Sequence, residues 1–186
     1  MLIVIEGDNG TGKDTIANFF VAKGFHIVTW DSVVKEKERF ARTFTGLQGT
    51  NAFLDYTLFC EETACKYQNA LIIRSWISTL SAAYADNRMS FEDVMSKIVE
   101  LIKNRAKPNF VFFLHCDFSN RIERINARNP NSNDDKTIER ASRYDEISKK
   151  IGKLLPYWHC IETSNKSPEQ VFQEVWNIIA NATEGK

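Results

Sequence analysis

Seven residues near the start, Gly7-Asp8-Asn9-Gly10-Thr11-Gly12-Lys13, constrain this chain more than any other stretch. They follow an apolar run, Leu2–Glu6, and precede a segment with helical spacing. G-x-x-x-x-G-K between a strand and a helix is the pattern of a loop that wraps an anion. Its glycines let the backbone curl so that successive N–H groups face one point. The helix start adds its own unpaired N–H groups and the positive end of its dipole. Lys13 brings a charge to the β- and γ-phosphates of a triphosphate. Gly7, Asp8, Asn9, Gly10, Thr11, Gly12, Lys13, Asp14 and Thr15 are therefore the expected ATP-binding segment. The position after the lysine ordinarily carries a Ser or Thr whose hydroxyl meets Mg²⁺. Here it is Asp14. An acid at that place holds magnesium directly or through water, or it caps the helix.

The rest of the chain alternates in a way that suits such a loop. Leu2–Glu6, Phe25–Thr29, Ala70–Ile73, Phe110–Cys116 and Tyr157–Thr163 are nearly continuous apolar runs, as in strands covered on both faces of a parallel sheet. Helical spacing lies between them. Thr15–Ala22 puts Ile16, Phe19 and Phe20 toward one side and stops before Gly24. Ser90-Phe91-Glu92-Asp93 opens a second helix with a capping pattern, and Ser167-Pro168-Glu169-Gln170 opens the last, with proline in the first turn. Strands alternating with helices predict an α/β fold. Its expected form is a five-stranded parallel sheet with helices on both faces, the three-layer sandwich of P-loop NTPases. No repeat or linker divides residues 1–186, so one domain is expected. The polar stretch Arg128–Asp135 reads as a functional loop.

Charge excludes one class of partner. Lys plus Arg and Asp plus Glu number 24 each, so no broad basic face for nucleic acid is expected. The apolar N-terminus is too short to span a membrane and lacks a signal peptide's basic start. A cytoplasmic protein with no membrane association is the expectation. Cys60, Cys65, Cys116 and Cys160 lack the spacing of a metal or redox motif, and Cys116 and Cys160 are expected to act as small core side chains. His26, His115 and His159 form no constellation.

Ile5-Glu6-Gly7-Asp8-Asn9-Gly10-Thr11-Gly12-Lys13-Asp14-Thr15 resembles the opening of thymidylate kinases and the related deoxyribonucleoside kinases. Arg74-Ser75-Trp76-Ile77-Ser78-Thr79-Leu80 is similar to the thymidylate kinase segment Asp-Arg-Tyr-x-x-Ser-Thr-Leu and to the Glu-Arg-Ser-x-x-Ser of the nucleoside kinases. The resemblance extends to Ile161–Ser164 and Ser167–Val171; segments 30–69 resemble neither family clearly. It implies a kinase that uses ATP and Mg²⁺ on nucleotide substrates, as a possible homodimer. It also implies that Arg74 reaches between donor and acceptor phosphates, that Ser78 lies beside the acceptor, and that Arg124 and Arg128 introduce a lid around residues 121–140. Arginines four apart share a helix face and could close over a triphosphate, or they could form a solvated face with Arg121 and Glu123.

Asp31 falls where these families carry a glutamate, at the C-terminal edge of the second strand. It either acts on the acceptor or, with Ser32, caps a helix. Two family features are missing. Ile73 replaces the acid before the arginine, and Trp30-Asp31-Ser32 replaces the thymidylate kinase Arg-Glu-Pro-Gly-Gly. A monophosphate acceptor needs cations, so Lys35, Arg39 and Arg42 join Arg74 as candidates. Trp30, Phe53, Tyr56, Phe59 and Tyr84 are candidates for stacking on a base or for packing. The catalytic set expected is Lys13, Asp31, Arg74 and Arg128. The acceptor set is Asp31, Arg39, Arg42, Arg74, Ser78 and Tyr84, with dTMP the first substrate. The alternatives are a nucleoside kinase and a nucleotide-binding regulator.

Overall fold

The computed structural model describes residues 1–29, 46–105, 107–129 and 137–184. Trp30, Asp31, Lys35, Arg39 and Arg42 lie outside the described residues, as does most of the polar loop after Arg128.

Five strands form one parallel sheet: β1 (Leu2–Glu6), β2 (His26–Val28), β3 (Ala70–Ile73), β4 (Phe110–His115) and β5 (Trp158–Glu162). Their order is β2-β3-β1-β4-β5, which puts β1 in the middle. Every residue of β1 is buried, and its side chains alternate between two cores. Leu2 and Val4 face one, Ile3 and Ile5 the other. Each such burial stabilises by roughly 1.5–3 kcal/mol.

The first core is closed by α2 (Gly46–Ala64), α3 (Trp76–Ala85), α4 (Phe91–Asn104) and α6 (Ile138–Gly152). The second is closed by α1 (Lys13–Val21) and α7 (Pro168–Glu184), through Ile16, Phe20, Val171 and Val175. Helix α5 (Phe118–Arg128) follows β4. This is the expected three-layer arrangement. Strand ends differ from expectation by at most one residue, and α1 begins two residues earlier because the loop leads straight into it.

Both capping patterns form as read. Asp93 N donates to Ser90 Oγ (3.1 Å). Ser167 N donates to Gln170 Oε1 (2.8 Å) while Gln170 N donates to Ser167 Oγ (3.3 Å). The cysteines differ. Cys160 is exposed on the edge strand β5 and Cys116 follows β4, so neither is a core side chain. Only Ile161 of β5 is buried, because an edge strand is less fully covered than a central one.

Candidate active site

The loop after β1 keeps its shape for steric reasons. Gly7 has φ +138°, and a Cβ there would sit 2.3 Å from the carbonyl oxygen of Leu114. Gly10 has φ +80°, and a Cβ there would meet the Arg121 carbonyl at 2.7 Å. No other residue fits either place. Gly12 precedes α1 and has no side chain to cap it, so the first N–H groups of the helix are left to the space in front of them. That space is a cavity of about 570 Å³, within the range of small-molecule sites. Residues 9–16 line it together with Arg74, Arg124, Arg128, Thr163 and Lys166. Asp14 and Thr15 are exposed on its wall.

Lys13 is buried, and its Nζ donates to the Asp8 carbonyl oxygen at 2.6 Å. Burial, and then the charge of Arg74, hold its ammonium well below the usual lysine range; Asp8, Asp14 and Glu6 oppose the shift. A bound triphosphate would add to the negative charge of these carboxylates and favour the charged ammonium.

Asp8 is not turned toward a ligand. Its carboxylate is buried and accepts from Arg140 Nη1 at 2.9 and 3.1 Å. Arg121 Nη1 lies 2.8 Å from its Oδ2. Arg121 is therefore a buried anchor of the loop and no part of a solvated face, unlike the surface alternative for this helix. Arg140 sits in the first turn of α6, and its Nε donates to Asp86 Oδ1 (2.7 Å).

Arg74 follows β3 directly. Its backbone is left-handed, φ +68°, which costs a non-glycine residue about 1 kcal/mol or more and persists only where neighbours fix it. Its N–H donates to the Ile5 carbonyl (3.0 Å), and its guanidinium donates to Asn9 Oδ1. Arg74 also lines a second cavity of about 200 Å³, with Phe53, Thr57, Ser78, Thr79, Ala82 and Arg88.

Beneath Arg74 lies Glu6, an acid ending an otherwise apolar strand. It accepts from Ser75 N (2.8 Å) and from the hydroxyls of Ser75 and Ser78. Burial raises its pKa, and the two serines oppose this. Tyr144 OH reaches Ser78 Oγ at 3.1 Å. Ser78 lines the second cavity, and its hydroxyl is tied to Glu6 and Tyr144.

Arg124 reaches the end of β5, donating to the Thr163 carbonyl (2.7 Å) and Thr163 Oγ1 (3.1 Å). Thr163 Oγ1 lies 3.3 Å from the Thr11 carbonyl, which joins β5 to the loop. Tyr84 is not brought to either cavity. Its ring takes the Arg143 guanidinium at 4.4 Å and the edge of Phe91. Arg88, Asp86, Arg140 and Tyr144 were not foreseen. Only Glu6 carried a signal in the sequence, as a carboxylate closing a buried strand.

Magnesium is tested by the donors at hand. Among the described residues no cluster of three His, Cys, Asp or Glu side chains could hold a metal. Among the described residues lining the cavity, Asp14 alone offers a hard carboxylate oxygen, which suits an ion shared with phosphate oxygens.

A parallel sheet with β1 at its centre, a glycine loop leading into an uncapped helix and an arginine shared by two cavities define a P-loop kinase. A model of the thymidylate kinase family, "Thymidylate kinase", matches residues 62–175. The chain belongs to that family, and so is a kinase of nucleotides or nucleosides, in a family that generally uses ATP and Mg²⁺. The matched region begins after the phosphate loop, which rests on its own geometry. No curated protein matches the chain. Among solved structures it is similar to thymidylate kinase from Candida albicans, at 18% identity and TM-score 0.73, covering 100% of this chain and 93% of that one. It is also similar to deoxyadenosine kinase from M. mycoides with bound dATP, at 18% identity and TM-score 0.70 (97% and 100% covered). The YorR protein from Bacillus subtilis, in complex with phosphorylated GDP, follows at 19% identity and TM-score 0.58 (99% and 98%). These likenesses speak for the fold. Among the described residues no helix is long and apolar enough to cross a membrane.

Proposed function

We propose that the protein transfers the γ-phosphoryl group of ATP to a (deoxy)nucleoside monophosphate, with dTMP the first acceptor to try. One observation carries this reading: Arg74 lines both the phosphate cavity and the smaller cavity beside it. A cation shared by two sites is placed to hold the group that passes between them.

In this reading the large cavity takes ATP, with the loop amides and Lys13 around the β- and γ-phosphates. Asp14 would hold magnesium, whose charge would help offset that of the phosphate oxygens. An acceptor phosphate oxygen attacks the γ-phosphorus; that bond forms as the bond to the β-phosphate oxygen breaks, and ADP leaves. Near neutral pH the acceptor is largely ionised, with a second pKa of about 6, so positioning and charge neutralisation matter more than a base. Among the described residues lining the smaller cavity, the ionisable groups are Arg74 and Arg88, both cations. Arg124 and Arg128, on the wall of the ATP cavity, begin a lid around residues 121–140 that excludes water. Asp31, Arg39 and Arg42 complete the proposed acceptor set. Four free cysteines agree with a reducing, cytoplasmic location.

The Arg74-Ser75 pair favours a second reading, a nucleoside kinase, which would need a base at the sugar hydroxyl. ADP release measured across nucleosides and their monophosphates separates the two. Turnover with monophosphates supports the proposal, and turnover confined to unphosphorylated nucleosides reverses it. Tight ATP binding with no turnover on any acceptor points to a regulator.

A further inference from the structure

We propose that Arg140 is a positioning residue for phosphoryl transfer: it joins Asp8 of the phosphate loop to Asp86 at the far end of α3, and so fixes one cavity relative to the other. The inference rests on the kinase reading above and adds what keeps the two sites in register.

Helix α3 relates the two cavities. Arg74, just before it, lines both, while Ser78, Thr79 and Ala82 line the smaller one. Its ten residues span about 15 Å, so a helix held at one end alone could swing at the other. The near end is held by Glu6, which takes the N–H of the N-cap Ser75 at 2.8 Å and its hydroxyl. The far end closes on Asp86, whose Oδ1 accepts from Arg140 Nε at 2.7 Å. Arg140 Nη1 in turn donates to both oxygens of Asp8, at 2.9 and 3.1 Å.

Glu6 and Asp8 flank Gly7, whose backbone lies so close to Leu114 of β4 that no side chain fits there. One buried tripeptide therefore sets both ends of α3, directly at the first and through Arg140 at the second. A planar guanidinium suits the task, because its fork offers Nε and Nη1 to two carboxylates at once. The packing of α6 on α3 has other supports. Ser148 Oγ meets Ser81 Oγ at 3.0 Å, Tyr144 OH meets Ser78 Oγ at 3.1 Å, and Ile147 and Ile151 share a core with Leu80. What Arg140 adds to that packing is the phosphate loop.

This matters for transfer more than for binding. Reacting atoms must approach to about 3–3.5 Å, and a misplacement of about 1 Å can cost roughly 100-fold in rate. Affinity in each cavity depends on that cavity's own walls, and Arg140 lines neither. A loosened register should slow the chemical step and spare both affinities.

The test is single-turnover phosphoryl transfer by the full chain, wild type against Arg140→Met. ATP is the donor, and the acceptor is dTMP or, where dTMP is not turned over, the fastest of the other monophosphates and nucleosides. Arg140→Met is expected to lower the transfer rate per folded molecule by roughly 100-fold, with the Kd values for ATP and acceptor within about threefold of wild type. A structural role alone would lower the urea midpoint and leave that rate unchanged. Should Arg140→Met fail to fold, Arg140→Lys carries the test: it keeps the charge, loses the fork, and is expected to transfer about tenfold or more slowly, again with both affinities kept. A folded variant that transfers within twofold of wild type, or that slows only by losing affinity for one substrate, overturns the inference and leaves the kinase intact. A wild type inert toward every monophosphate and nucleoside overturns the kinase reading itself, and this inference with it.

Discussion

The two cavities are built in opposite ways. The larger cavity is lined mainly by consecutive residues, 9–16, with the uncapped start of α1 among them. The smaller cavity gathers side chains from α2, the end of β3, α3 and the turn beyond it, separated by up to 35 positions. A backbone site depends on loop shape, and loop shape is enforced locally by glycines with φ values that side chains resist. A side-chain site depends on how helices pack. Arg74 belongs to both, which makes it the residue whose loss should be felt most widely.

Arg74→Ala gives the largest expected effect. Turnover should fall by about 10³-fold or more, as for arginines that span a transferring phosphoryl group, and KM should rise for both substrates. Steady-state kinetics with each substrate varied separately checks this, and a change confined to one KM would break the idea of a shared cation. Lys13→Ala should lower turnover by about 10²–10³-fold with the acceptor KM nearly unchanged, because it touches only the donor side.

Asp8→Ala asks how far the cradle depends on distant elements. It leaves two arginines, one of them buried, without their shared carboxylate. A cost of about 3–5 kcal/mol in urea denaturation is expected. A cost below about 1 kcal/mol would make the loop's shape independent of α5 and α6.

The smallest effect lies in α2. Glu61 is buried, its Oε2 has no hydrogen-bond partner, and burial, then the charge of Glu6, pushes its pKa up to about 8. The unfolded chain ionises this group near 4.5 and the folded chain near 8, so stability is withdrawn progressively as pH rises between those values. The full penalty, reached above pH 8, is up to about 5 kcal/mol. Glu61→Gln removes the titration but still buries an unpaired amide. A net gain of about 2 kcal/mol is expected at pH 8 and none near pH 4. Denaturant midpoints at the two pH values measure it, and equal midpoint shifts at both would show that Glu61 does not titrate in this range.

Much of the molecule was readable before folding. The five strands follow from apolar runs, and both caps from Ser90 and Ser167. The cradle follows from the spacing of three glycines and a lysine, since each of these is a statement about neighbours along the chain. Other parts were not readable. Arg121 looked like one more exposed cation on a basic helix; its burial against Asp8 depends on where α5 meets the loop. Tyr84 looked like an acceptor residue, but the rotation of α3 turns it to Phe91 and Arg143. Arg140 gave no sign, because its carboxylate partners Asp86 and Asp8 lie 54 and 132 positions away along the chain.

The sequence by itself thus determined the parallel α/β frame and the phosphate loop, because backbone conformation is dictated by adjacent residues and by the period of burial. Tertiary packing alone decided which side chains surround the smaller cavity and which arginines the loop's own acid holds. Convergence of distant side chains depends on the angles at which helices settle on the sheet, and no local pattern of residues specifies those angles.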